Sequence, residues 1–105
     1  MNEILFVYIT TSSEESAISI AQHLLEKSLI SCANIFSSHK SLYWWENKIE
    51  SGTETAFLVK TTPLLYKKVQ TEVKKLHPYA VPCITAFSTQ AYEPYFQFVA
   101  QSLKK

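Results

Sequence analysis

Apolar residues fall along this chain in two rhythms. Ile4 to Ile9 is a continuous β-prone run, which predicts a strand buried on both faces. Thr10 to Ser13 then offers capping hydroxyls, and Ser12 with Glu15 fits a capping box. The helix that follows runs to about Leu29, with Ala17, Ile20, Ala21, Leu24 and Leu25 on one face. Cys32 to Phe36 reads as strand, and Lys40 to Trp45 continues it after a Ser-Ser break. Glu46-Asn47-Lys48 is a turn, because asparagine tolerates left-handed backbone. Ile49 to Glu54 and Ala56 to Lys60 form the returning strand. Thr62-Pro63 opens a second helix with a stripe of Leu65, Val69, Val73 and Leu76, and His77-Pro78 stops it. Ile84 to Phe87 is a last strand, and Glu93-Pro94 starts a C-terminal helix carrying Phe96, Val99, Ala100 and Leu103.

The order βαββαβ plus a terminal helix predicts an α+β fold of the ferredoxin-like kind, with an antiparallel sheet and a long hairpin between its second and third strands. All 105 residues suit one domain. In such a fold helices cover one face of the sheet, so the other face should be polar at every second residue. It is not, because the first strand sets Ile4, Phe6 and Tyr8 against Leu5, Val7 and Ile9. The hairpin arms, residues 31 to 46 and 48 to 60, span roughly 45 Å each at ~3.3 Å per residue. Tyr43, Trp44 and Trp45 sit at the overhanging end. An apolar surface of that size on a small domain marks an interface, and self-association is the expectation.

Composition narrows the partners. Net charge is +1, and arginine and aspartate are both missing, so the basic stripe of a nucleic-acid binder is not there. Without arginine, no bidentate fork exists for phosphate. The N-terminal apolar run is too short for a membrane span. Cys32 and Cys83 stand too far apart for a zinc or disulfide pattern, and a reducing cytoplasm is expected. They are placed on opposite sheet edges, with no pairing between them.

No nucleophile–base pair or phosphate loop is legible, so no catalytic residue is assigned and an enzyme is not expected. His77 in His77-Pro78-Tyr79-Ala80-Val81-Pro82 reads either as a metal ligand or acid/base, or as a residue complementing the helix C-terminus. Lys60, before Thr61-Thr62-Pro63, reads as an anchor for an anionic group or as a solvated strand end. His23 and His39 have no i, i+4 partner and are expected at the surface.

Taken in order, Thr10-Thr11, Leu29 to Ile35, Ser41 to Glu50, Lys60-Thr61-Thr62 and His77 to Pro82 closely resemble the CutA divalent-cation tolerance family. The resemblance rests most on Tyr43-x-Trp45-x-x-Lys48-x-Glu50 and on His77-Pro78-Tyr79-x-Val81-Pro82. It implies a homotrimer built by edge-strand pairing and a part in tolerance of copper and other divalent metals, with copper as the metal most in view. Thr11, Ala80 and Cys83 stand where the family often has cysteine and glutamates, and Asn47 where it has a hairpin glycine. His77 is then the clearest ligand to carry over. Cys83 is its soft partner, suited to copper(I). A trimeric sensor or scaffold is the alternative, binding a small anionic metabolite or a partner protein in inter-subunit clefts near Tyr43, Trp45, Lys60 and Tyr79.

Overall fold

The computed structural model describes residues 2–105. Five strands and three helices follow in the order β1 (Glu3–Thr11), α1 (Glu14–Glu26), β2 (Cys32–Ile35), β3 (His39–Trp45), β4 (Lys48–Thr61), a 3-10 turn (Pro63–Leu65), α2 (Tyr66–Leu76), β5 (Ile84–Gln90) and α3 (Glu93–Ser102). All strand pairs are antiparallel, in the order β2-β4-β1-β5, with β3 also on β4. The expected α+β class is the one observed. Ser37 and Ser38 split the second expected strand into β2 and β3, while β4 runs unbroken for 14 residues.

Register sorts the side chains by face, since a cross-strand pair shares a side. Leu5, Val7 and Ile9 lie beside Thr61, Val59 and Phe57 on one face. That face packs on Ala17, Ile20 and Leu24 of α1 and on Val69 and Val73 of α2, all buried in one core. On the other face Phe6 pairs with Lys60 and with Phe87, and Tyr8 with Leu58. α3 reaches this second face, because Lys60 Nζ donates to Tyr95 Oη at 3.1 Å. Phe87 nonetheless stays half exposed.

Local chemistry accounts for the boundaries. The N-cap of α1 is Ser13, whose Oγ accepts from Ser16 N at 3.1 Å; this replaces the expected box at Ser12. The helix stops at Glu26 rather than Leu29, because Ser28 turns left-handed at φ 56°. Leu29 N–H then bonds Leu24 O, and Ser28 N–H bonds Leu25 O. Those two bonds make a Schellman motif, with Leu24 and Leu29 both buried as its apolar contact. His23 is not a solitary surface residue: its Nε2 sits 2.8 Å from Glu72 Oε1, tying α1 to α2, and Lys75 Nζ holds the other oxygen. Cys32 is half-buried at one edge and Cys83 exposed at the other, both free. No helix among the described residues is long and apolar enough to cross a membrane.

The hairpin closes through Glu46-Asn47, both at positive φ (48° and 66°), between the paired Trp45 and Lys48. This is the type I′ arrangement, for which glutamate is a poor first residue. The double variant Glu46→Asn with Asn47→Gly should stabilise the chain by about 1 kcal/mol in urea unfolding.

The His23 and Lys75 hydrogen bonds hold the Glu72 carboxyl down at about 2, against an ordinary 4.5. The carboxylate's stabilisation is therefore complete above pH 4.5 and is lost as pH falls towards 2. Glu72→Gln should flatten the acid limb of a stability–pH curve in that window.

Candidate functional site

The end of α2 sets the site. His77 caps the helix through its N–H to Val73 O, then leaves in extended conformation because Pro78 follows. Its imidazole turns inward and is only 8% exposed. Nε2 lies 2.7 Å from the Thr10 carbonyl, so it donates, and Nδ1 accepts from Tyr79 N at 3.1 Å. The partners fix the tautomer with the proton on Nε2. Tyr79 packs edge-on against this ring at 4.8 Å. Its hydroxyl donates to Glu54 Oε2 at 2.7 Å, and Lys74 Nζ bonds the Ala80 carbonyl. The loop is thus pinned to β1, β4 and α2.

Between this loop and the β3–β4 ribbon lies a groove of about 520 Å³. Tyr43, Trp45 and Glu54 line it from the ribbon; Tyr79, Ala80, Val81 and Cys83 line it from the loop, with Thr10 at the base. Tyr43 and Trp45 project from the same ribbon face as Glu54, since their cross-strand partners Glu50 and Lys48 share its parity on β4. Gly52 fits between, with the Tyr43 hydroxyl 3.5 Å from where a Cβ would stand. Burial pushes the Tyr79 phenol up to about 12, helped by the Glu54 carboxylate it bonds.

Three of the four expected cleft residues, Tyr43, Trp45 and Tyr79, meet in this groove. Lys60 does not. It pairs across the sheet with Phe6 and Cys32, and its ammonium lies 5.3 Å from the Tyr95 ring and 5.4 Å from Phe6. The Tyr95 hydrogen bond raises its pKa, with Cys32 nearby adding to the effect. An anion-binding role for Lys60 therefore finds its ammonium already committed. Of the two expected ligands, Cys83 faces the groove, whereas His77 has both nitrogens bonded within the chain. Among the described residues no three His, Cys, Asp or Glu side chains cluster as a metal site. The sequence did not single out Glu54: a three-residue turn at Glu46-Asn47-Lys48 would set it on the opposite ribbon face, and the observed pairing of Trp45 with Lys48 moves it to the face of Tyr43 and Trp45.

Known proteins resemble the chain over nearly its whole length. The profile of the family described as CutA1 divalent ion tolerance protein matches residues 5–102. The divalent-cation tolerance protein CutA of Archaeoglobus fulgidus is 52% identical over 81 residues, 77% of this chain and 78% of that protein. Its namesake from Pyrococcus horikoshii is 36% identical over 102 residues, 96% of this chain and 99% of that one. A solved structure of the Archaeoglobus protein, described as a periplasmic divalent cation tolerance protein, matches with a TM-score of 0.92 at 42% identity, covering 95% of this chain and 98% of that one.

Replacing His77 by alanine strands the buried Thr10 carbonyl and frees the loop. Equilibrium unfolding should show a loss of about 2–3 kcal/mol, of which His77→Gln, able to donate to Thr10, restores a part.

Proposed function

Because the chain belongs to the CutA1 divalent ion tolerance family, we propose that it acts as a cytoplasmic homotrimer that binds copper and other divalent ions without catalysing a reaction. One observation carries the assembly. Leu42, Trp44 and Ile49 share the ribbon face turned away from the groove and are 77%, 72% and 67% exposed. A two-stranded ribbon bearing such residues is marginal in water by itself. Cover from neighbouring copies removes both the exposed aromatic surface and the instability.

Metal binding is supported by the donor types in the groove. Cys83 is exposed and free, and its thiolate suits copper(I), while Glu54 offers a carboxylate oxygen in the same groove. His77 would have to give up the Thr10 or Tyr79 bond to join them. Among the described residues no cluster of three donors completes a ligand set there. An anionic metabolite fits less well, since the charged side chain in the groove is Glu54. Two free cysteines on opposite sheet edges suit a reducing cytoplasm.

Light scattering on the eluting protein should give three times the 12.0 kDa chain mass, with Trp44→Glu shifting it to the monomer. A monomeric wild type at micromolar concentration would end the assembly reading. Anaerobic competition titration with copper(I) should give sub-micromolar binding that Cys83→Ser weakens at least about tenfold. Wild-type binding no tighter than micromolar rejects the metal role.

A further inference from the structure

We propose that the groove between the β3–β4 ribbon and the His77–Cys83 loop binds a small organic ammonium ion, with Glu54 as its counter-charge and Tyr43, Trp45 and Tyr79 as its walls. The lining is three aromatic rings, one carboxylate and small or apolar residues, with no lysine. Ring faces carry negative potential and attract a cation held within about 6 Å, most strongly when water is kept away. An anion meets repulsion from both the rings and Glu54.

Glu54 is held ready for this role. Its Oε2 accepts the Tyr79 hydroxyl, and its other oxygen has no protein donor among the described residues. The phenol stays neutral, because burial and the carboxylate push it up to about 12. The hydrogen bond holds the carboxylate beside the aromatic walls. The same hydrogen bond orients the Tyr79 ring, which His77 supports from behind.

Size and hydration select the class of cation. At about 520 Å³ the groove lies inside the usual range of small-molecule sites, about 300–1,000 Å³. Methyl or methylene groups around an ammonium nitrogen need little hydration and fit the apolar walls. Alternation along the ribbon keeps the site clear of the proposed assembly face: Leu42, Trp44 and Ile49 lie on one side, Tyr43 and Trp45 on the other. Copper at the Cys83 thiol and an ammonium at Glu54 share one cavity, and titration without metal separates them.

The test uses metal-free full-length protein with chelator present. Choline is titrated against its neutral isostere, in which a quaternary carbon replaces the nitrogen, and against benzoate as the anion. Amide chemical shifts of Thr10, Tyr79 and Val81 report the site, and Trp45 fluorescence in a Trp44→Phe background reports affinity. Choline should bind at least about tenfold more tightly than its isostere. Glu54→Gln, which can still accept from Tyr79, should weaken choline about tenfold. Equal binding of choline and the isostere, preference for benzoate, or indifference to Glu54→Gln overturns the proposal. A failure of copper to bind leaves it standing, because no metal enters these titrations.

Discussion

Strand β4 is the member on which the rest of this molecule hangs. Its last seven residues, Thr55 to Thr61, pair with β1 on one side and, over Phe57 to Lys60, with β2 on the other. Its first seven, Lys48 to Glu54, pair only with β3 and leave the helices behind. One uninterrupted strand thus joins a packed core, centred on the fully buried Phe57 and Val59, to a ribbon in open solvent. Fourteen residues at about 3.3 Å each account for the 45 Å long axis of a molecule otherwise 24 Å across. Because β4 has no bulge, the alternation set in the core runs on to the tip. The core dictates which way each exposed aromatic faces.

That continuity also positions the groove. Glu54 is the last ribbon residue before the core, so its carboxylate emerges where the loop after α2 passes. The loop is stiffened by Pro78 and Pro82 and pinned by His77, whose imidazole bridges the β1 carbonyl at Thr10 and the backbone of Tyr79. His77 works as a strut. A histidine that spends both nitrogens on backbone partners contributes rigidity to Tyr79 and, through its hydroxyl, orientation to Glu54. Binding sites on loops gain precision from such support.

Much of the fold was legible because its signals are local. The apolar run of β1, the Thr62-Pro63 start of the 3-10 turn that leads into α2, the His77-Pro78 stop and the Asn47 turn each follow from the conformational limits of a few residues. The α1 terminus was misplaced because serine at positive φ is uncommon and carries no strong sequence mark; Ser28 adopts it within a Schellman motif whose apolar contact is buried between Leu24 and Leu29. The site was legible only in part. Tyr43, Trp45 and Tyr79 stand out by type, but their meeting depends on strand register and on the path of the loop. His23 finds Glu72 49 residues away, and Lys60 finds Tyr95 35 residues away, where no periodicity connects them.

The amino-acid order by itself determined the class of fold, the excess of apolar surface and the presence of a tight turn at Asn47. Those properties reside in short-range sterics and in the count of residues that avoid water. Tertiary structure alone decided that Lys60 belongs to α3 rather than to the groove, that His77 is a buried strut, and that Glu54 supplies the charge of the site. Each of these turns on where a distant backbone or ring arrives, and that is set by the packing of β4 against β1 and of the loop against both.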